Sequence, residues 1–258
     1  MTEENNLITI VKSLTGIELS PENDHLITKR LIALKQYFKI DKLSETEVKK
    51  ILSDPTAQRV AISLVTNNET AFYRDILPFK FLLEILENNH MKANILSLPA
   101  STGQEPYSIA MTICENDLKH KLNRIDAMDI DESALEHSIK NGYFKFDLQR
   151  GLSEEQISKN FVLNGNKYFP IESLLEKINF KALNILSAGL NRSEYDITFL
   201  RNLLIYFDNT DKQKAVDNVV LSLKEDGVLI LGNGERINHI SMKEMFWNGL
   251  RYYIKESP

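Results

Sequence analysis

Apolar and polar residues in the first seventy positions follow helical spacing. One apolar stripe consists of Ile27, Leu31, Leu34 and Phe38. Its interval of three to four residues predicts an amphipathic helix. Ser44 and Glu47 have the spacing of a capping box, which predicts the start of a second helix, and Ala57–Val65 predicts another. Because no strand pattern precedes residue 94, residues 1–70 are expected to form a helical N-terminal domain.

Beyond that point, short apolar runs alternate with helical segments. The runs are Ile95–Leu98, Ile125–Met128, Ile197–Leu200 and Val228–Leu231. Strands that alternate with helices are typical of a mostly parallel sheet covered on both faces. The segment from Met242 onward is interpreted as a last helix followed by an antiparallel edge strand at Tyr252–Ile254, with Phe246 in the core.

Residues from about 150 to 183 interrupt this alternation. Asn164-Gly165-Asn166 is a turn signal, and it lies between the apolar runs Phe161–Leu163 and Tyr168–Phe169. This pattern predicts a small antiparallel β insertion. The predicted fold class is therefore α/β, with residues 71–258 forming a sheet domain that contains the insertion.

Composition narrows the function classes. The chain has 258 residues, 43% of them apolar, and a formal net charge of −5. Such an apolar fraction supports a folded core, and the weak negative charge argues against nucleic acid as the main partner. No apolar run approaches the ~20 residues that cross a bilayer, and the acidic start, MTEENN, is unlike a secretory signal. We predict a cytoplasmic protein without membrane insertion.

Thiol and imidazole groups give no sign of a redox or metal centre. Cys114 is the single cysteine, so an intramolecular disulfide is impossible, and its helical surroundings predict a buried inert thiol. The histidines are His25, His90, His120, His137 and His239. No two of them have metal-ligand spacing, and we predict no metal site.

The stretch NILSLPASTGQEPYSIAM, residues 94–111, predicts a strand, a tight turn and a helix start. The turn contains small residues from Ala100 to Gly103 and precedes Glu105. Ligands of open α/β sheets bind at the carboxyl ends of strands, and a phosphate site would require more glycines and usually a lysine. Glu105 would repel phosphate and attract a cation, which indicates a ligand with an ammonium group.

Asp129 ends the next predicted strand. An acidic residue there can accept both ribose hydroxyls of a nucleoside. S-adenosylmethionine carries a ribose and an ammonium group, so the two carboxylates together indicate this cofactor. The alternative is that Asp129 and Asp131 only cap the following helix near Ser133.

Several segments match one family in order and register. They are Thr15-Gly16-Ile17, TNNETAFYRD (66–75), PASTGQEPYSIAM (99–111), AMDID (127–131), ALNIL (182–186), RNLLIYFD (201–208) and GNGE (232–235). Over nearly its whole length the chain resembles the CheR family, the chemoreceptor glutamate methyltransferases of bacterial chemotaxis. The resemblance implies a Rossmann-like S-adenosylmethionine-dependent methyltransferase domain. It also implies the cytoplasmic domain of methyl-accepting chemoreceptors as partner, and we expect a monomer.

The resemblance further implies residue roles. The residues that would bind S-adenosylmethionine, or its product S-adenosylhomocysteine, are Asn68, Thr70, Arg74, Ala100, Glu105, Asp129, Asn184, Ile185, Arg201 and Asn202. Glu105 would hold the ammonium group and Asp129 the ribose hydroxyls, while Asn184 and Ile185 would border the adenine. Arg74 and Tyr206 are the predicted catalytic residues, with Tyr206 near the transferred methyl group. The insertion resembles a small β-subdomain that docks a tethering peptide in some members.

The implied reaction is attack of a glutamate carboxylate oxygen on the sulfonium methyl group. A glutamate with a pKa near ~4.3 is already ionised at neutral pH, so the reaction needs no general base. Arg74 is predicted to hold the carboxylate, because its planar guanidinium can grip both oxygens. The alternative for Arg74 is a structural ion pair with Asp75 or Glu69.

Two places depart from the family pattern. Leu98-Pro99 stands where small residues are usual, and Pro99 removes one N–H donor. Asn233-Gly234 stands where the family usually has His and Ser. The basic bias of residues 22–50 is slight, so a mixed-charge surface is as well supported as a receptor-docking face. Two rival functions stay open: methylation of another protein or a small molecule, and a non-catalytic adaptor that binds cofactor or receptor.

Overall fold

The computed structural model describes residues 2–19, 24–88, 92–187 and 189–257. His90 lies outside the described residues. Four helices form the N-terminal part: α1 Glu3–Thr15, α2 Asp24–Phe38, α3 Glu45–Ser53 and α4 Pro55–Val65. The predicted cap is confirmed, because the Ser44 hydroxyl accepts a hydrogen bond from the backbone N–H of Glu47 at 3.3 Å.

The four helices bury one apolar cluster of their own. Its fully buried members are Leu7, Ile10, Val11, Leu34, Leu43, Ala61 and Val65. The apolar spacing of α2 therefore serves this cluster, as the stripe predicts. A separate core supports a domain boundary near residue 70, which stays a prediction.

A seven-stranded sheet dominates the rest of the described chain. Its strands are β1 Ala93–Leu98, β2 Leu122–Asp129, β5 Ile178–Ala182, β6 Tyr195–Leu200, β7 Leu223–Leu231, β8 Met242–Trp247 and β9 Leu250–Lys255. The spatial order is β5-β2-β1-β6-β7-β9-β8. The first five strands in that order are parallel, and β9 and β8 pair antiparallel. All four predicted sheet runs are confirmed within β1, β2, β6 and β7.

Helices cover both faces of the sheet. The longer ones are α5 Leu77–Asn88, α6 Gln104–Glu115 and α11 Asn209–Ser222. Apolar side chains of α5 and α6 join one core cluster, while those of α11 join a second cluster on the other face. From β1 the chain runs outward through β2 to β5 and then returns beyond β1 to β6. This reversal between β1 and β6 is the switch point at which α/β sheets bind ligands.

The insertion is smaller than the sequence pattern predicts. Its hairpin consists of β3 Phe161–Asn164 and β4 Lys167–Pro170, which pair antiparallel. The short helices around it are α7 Glu132–Glu136, α8 Lys145–Gln149, α9 Glu154–Asn160 and α10 Glu172–Leu175, with a π-helical turn at His137–Asn141. However, Ile178–Ala182 is not part of the insertion. It is β5, and it pairs parallel to β2 because Ile178 and Phe180 pack on the main core.

The predicted last helix is wrong. Met242–Trp247 is strand β8, and it forms a hairpin with β9 through Asn248 and Gly249, whose φ angles are 46° and 86°. An Asn-Gly pair in which both residues are left-handed is the usual two-residue turn of a β-hairpin. Therefore β8, not β9, is the sheet edge. Phe246 is also not a core residue, because 60% of it is exposed.

Candidate active site

A cleft opens at the carboxyl ends of β1, β2 and β6. Its empty volume is about 1350 Å³, including open solvent at the mouth. The lining includes Asn68, Thr70, Arg74, Glu105, Asp129, Asn184, Ile185, Arg201, Asn202 and Tyr206. The structure thus brings together every predicted site residue except Ala100. Ala100 is buried behind the lining and donates its backbone N–H to the Met128 carbonyl at 2.8 Å.

The turn between β1 and α6 forms the floor of the cleft. Pro99 follows a cis peptide bond, and Gly103 has a φ of 96° immediately before α6. A Cβ at Gly103 would lie 2.6 Å from the Cβ of Ser138. A glycine is therefore required both for the left-handed backbone and for the close approach of the π-helical turn.

Glu105 and Arg201 form a buried ion pair in one wall. Arg201 Nη1 donates to Glu105 Oε2 at 2.8 Å, and the Ser97 hydroxyl donates to Glu105 Oε1 at 2.8 Å. Each carboxylate oxygen has two lone pairs. Glu105 therefore keeps two acceptor positions that can bind an ammonium group in the cleft.

Asp129 lies beside this wall at the end of β2. Its Oδ2 accepts the backbone N–H of Ser101 at 2.7 Å, and its Oδ1 accepts that of Asp131 at 2.9 Å. Burial raises the pKa of Asp129 to about 6, against the lowering effect of these hydrogen bonds. These hydrogen bonds leave acceptor capacity on the carboxylate, which suits a pair of neighbouring hydroxyls.

Asp131, in contrast, serves the protein structure. Its Oδ1 accepts the backbone N–H groups of Ser133 and Ala134 at the start of α7. Its Oδ2 accepts from the Asn68 side-chain amide at 2.7 Å. The helix-cap alternative therefore holds for Asp131 but not for Asp129. Asp131 also fixes the segment that carries Asn68.

The opposite wall follows β5. Ile185 is buried at 4% exposure, and its carbonyl accepts the side-chain amide of Asn218 at 2.7 Å. The Asn184 amide donates to the Leu14 carbonyl of α1 at 3.3 Å. This wall therefore combines an apolar surface with a side chain fixed by the helical N-terminal part.

Arg74 and Tyr206 both line the cleft. The Arg74 side chain is exposed and makes no hydrogen bond or ion pair with another described residue. The ion-pair alternative for Arg74 is wrong, because Asp75 pairs with Arg201 at 3.0 Å and Glu69 pairs with Arg150 at 3.4 Å. Tyr206 ends a short 3-10 turn, and its carbonyl accepts the backbone N–H of Glu18 at 2.8 Å.

Sequence reasoning missed several cleft residues. Ser101 positions Asp129, and Arg30 reaches the lining from α2. Arg30 is half-buried, its Nη1 has no partner among the described residues, and burial lowers its pKa. Arg30 is three positions after the buried Ile27 and therefore lies at the edge of the apolar stripe of α2. That position was the available signal for Arg30.

The described residues contain neither a metal-binding cluster nor a membrane-spanning helix. No group of three or more His, Cys, Asp or Glu side chains in the described part of the chain is arranged to hold a metal ion. The absence of a metal site stays a prediction. Among the residues that the structure describes, no helix has both the length and the apolar character needed to cross a membrane.

A parallel sheet with a switch-point cleft, lined by one carboxylate after β1 and another at the end of β2, defines a nucleoside-cofactor enzyme of the α/β class. Residues 68–252 match the family model described as the SAM-binding domain of CheR methyltransferase. The chain therefore belongs to the CheR methyltransferase family. It is an S-adenosylmethionine-dependent methyltransferase.

Named relatives agree over most of the chain. A chemotaxis protein methyltransferase of Vibrio parahaemolyticus is 33% identical over 249 residues, covering 90% of this chain and 88% of the relative. Chemotaxis protein methyltransferase 1 of Vibrio cholerae is 32% identical over 251 residues, covering 93% and 91%. Among solved structures, the N-methyltransferase NodS from Bradyrhizobium japonicum has a TM-score of 0.42 and 13% identity, covering 71% of this chain and 97% of that chain.

Proposed function

We propose that this protein methylates glutamate side chains of chemoreceptors, with S-adenosylmethionine as methyl donor. The observation that carries the proposal is the pair Glu105 and Asp129. Both are buried carboxylates at the ends of neighbouring parallel strands, and each keeps acceptor positions toward one cleft. This arrangement fits a ligand that has an ammonium group and a ribose.

The other cofactor contacts follow from the walls. Ile185 would border the adenine with its buried aliphatic side chain, and Asn184 would lie at the edge of the ring. The remaining residues proposed to contact the cofactor are Asn68, Thr70, Arg201 and Asn202. Ala100 would act indirectly, since its hydrogen bond to Met128 holds the turn after β1.

S-adenosylmethionine, when bound, supplies a methyl group on a positively charged sulfur. The protein must bring an acceptor carboxylate into line with that group and remove water from it. A glutamate is ionised at neutral pH, so no side chain needs to take a proton. Good alignment alone can supply roughly 7–11 kcal/mol of the barrier.

Arg74 is the residue proposed to hold the acceptor carboxylate. Its guanidinium is free among the described residues and lines the cleft, and a planar guanidinium binds both oxygens of a carboxylate. Tyr206, which also lines the cleft, is proposed to orient the acceptor or the methyl group. An enzyme is favoured over a non-catalytic adaptor because this arginine shares one cleft with Glu105 and Asp129.

The acceptor is proposed from the relatives, whose names describe methyltransferases of chemotaxis. The cytoplasmic domain of a methyl-accepting chemoreceptor presents glutamates, which fits Arg74. A cytoplasmic location, a monomeric state and the absence of nucleic-acid binding stay predictions. So does the division into a helical domain, residues 1–70, and a methyltransferase domain, residues 71–258.

The test is base-labile methyl transfer. The protein is mixed with methyl-labelled S-adenosylmethionine and receptor cytoplasmic fragments, and the product is treated with alkali. Volatile methanol above a control without receptor is the expected result, because carboxyl methyl esters hydrolyse in base. No release from a preparation that binds S-adenosylhomocysteine would contradict the proposed acceptor and favour another substrate.

A further inference from the structure

Glu235, in the late segment GNGE, has a buried carboxylate that the reaction does not use. Only 4% of the residue is exposed, and it forms no ion pair within the described part of the chain. Three backbone N–H groups satisfy it instead. Its Oε2 accepts from Asn202 at 2.7 Å and Gly232 at 2.8 Å, and its Oε1 accepts from Leu204 at 2.8 Å.

The three donors come from two different loops. Asn202 and Leu204 follow β6, whereas Gly232 follows β7, and these two strands are paired neighbours that end at Leu200 and Leu231. One carboxylate therefore ties together the loops at the ends of two strands. The loop after β6 also contains Arg201 and Tyr206, both of which line the cleft.

The backbone around this carboxylate is tightly constrained. Asn202 has a φ of 59°, a left-handed conformation that few residues other than glycine adopt readily. A Cβ at Gly232 would lie 2.6 Å from Glu235 Oε2 and 2.8 Å from the backbone nitrogen of Asn202. Gly232 is thus required for the close approach, and the hydrogen bonds to Glu235 stabilise the turn at Asn202.

We propose that Glu235 is a positioning residue for the methyltransferase site, acting through the loop of Arg201, Asn202 and Tyr206. This inference rests on the proposed roles of those three residues. The position of Glu235 requires a carboxylate, because both oxygens of an ionised carboxylate only accept hydrogen bonds. A glutamine would place its N–H₂ group against at least one backbone N–H, so that two hydrogen-bond donors would face each other.

The two residues at the tip of this turn make no comparable contact with the described residues. Asn233 and Gly234 are exposed, whereas Glu235 is buried. A Cβ at Gly234 would meet nothing within 4 Å. Asn233 and Gly234 thus lie at the open tip of the turn, and the contact to the active-site loop belongs to Glu235. Asn233→Ala is therefore a matched control in the same turn.

The test compares the full-length protein with Glu235→Gln and Asn233→Ala by calorimetric titration with S-adenosylhomocysteine, well below the unfolding midpoint of each variant. Small displacements of positioned groups have large effects, so Glu235→Gln is expected to raise the dissociation constant about tenfold or more. Asn233→Ala should stay within about twofold. A folded Glu235→Gln variant with wild-type affinity would overturn the proposal.

Two additions separate positioning from general stability. In Glu235→Gln, hydrogen exchange should accelerate more at the backbone N–H groups of Asn202 and Leu204, which donate to the altered side chain, than in strand β1. An equal change in both places would mean that Glu235 does not act through this loop. If Glu235→Gln does not fold, Glu235→Asp, whose shorter side chain cannot reach all three N–H groups, decides by the same titration. A wild-type protein that fails to bind S-adenosylhomocysteine would instead contradict the proposed function itself.

Discussion

Arg201 Nη1 lies 2.8 Å from Glu105 Oε2, and the two side chains are only 3% and 11% exposed. The guanidinium also donates through Nη2 to the Arg74 carbonyl at 2.6 Å and to Asp75 at 3.0 Å. One buried arginine thus joins the proposed ammonium site to the segment that carries Arg74. The proposed cofactor site and the proposed acceptor site are therefore linked through the Arg201 side chain.

Arg201→Met should be strongly destabilising, because it leaves the Glu105 carboxylate buried without its cation. Breaking a buried pair on one side costs roughly 3–5 kcal/mol. Urea unfolding of the unliganded protein would measure the loss. The double variant Arg201→Met, Glu105→Gln should be less destabilised than Arg201→Met alone, and a larger loss would show that the ion pair is not the main interaction.

The main elements of the fold could be predicted because their signals are local. The loop after β1 combines an apolar strand, a glycine before a helix and Glu105 within a few residues. The sequence pattern assigned strand β5 to the insertion. An edge strand buries little apolar surface, and the pairing of β5 with β2 is a long-range contact that the local sequence does not reveal. For β8, the Asn248-Gly249 pair was a usable hairpin signal, and the aromatic residues nearby also favour a strand, so the helical interpretation overlooked both signals.

The site was harder to predict wherever partners are distant in sequence. Asp75 was the nearest candidate partner for Arg74, yet it pairs with Arg201, 126 positions away. Glu235 contacts a loop more than thirty residues before it. Sequence spacing reveals which side chains occur at the end of a strand, whereas the choice among possible ion pairs depends on packing.

Cofactor affinity should depend on pH through Asp129. Burial raises the pKa of Asp129 to about 6, with Asp131 as a neighbouring negative charge that also raises it. The ionised form accepts hydroxyl donors, and it is lost as pH falls through about 6. If the ligand binds only the ionised form, S-adenosylhomocysteine should bind about tenfold more weakly at pH 5 than at pH 8.

Titration calorimetry at several pH values provides the measurement for Asp129. Asp129→Asn should bind weakly at every pH and lose this dependence. The same weakening at low pH in Asp129→Asn would assign the effect to another group. The unliganded wild type should also gain stability relative to Asp129→Asn as pH falls from 7 to 5, since a raised pKa in the folded state favours proton uptake on folding.

Arg74→Ala should reduce turnover without reducing stability. The side chain is exposed and has no partner among the described residues, so the free energy of unfolding should change by less than about 0.5 kcal/mol. Loss of a hydrogen bond to a charged acceptor costs about 1.5–3 kcal/mol, which corresponds to roughly 10- to 100-fold in methyl transfer. Arg150→Ala, an exposed arginine paired with Glu69, is the control and should leave the rate unchanged. Wild-type turnover in Arg74→Ala would remove Arg74 from the proposed mechanism.

Lys12→Met should loosen the contact between the helical N-terminal part and the cleft. Lys12 Nζ lies 2.5 Å from Asp208 and 2.6 Å from Asp211, just beyond the turn that contains Tyr206. The lysine side chain is 38% exposed, so the stability effect should be below about 1 kcal/mol.

The ion pair of Lys12 with Asp208 and Asp211 is also screened by salt. The wild-type protein should therefore bind S-adenosylhomocysteine more weakly at ~1 M than at ~0.1 M NaCl. Lys12→Met should already bind it more weakly at ~0.1 M NaCl, and its affinity should change less with salt. An equal salt dependence in both proteins would mean that this ion pair does not contribute to cofactor binding.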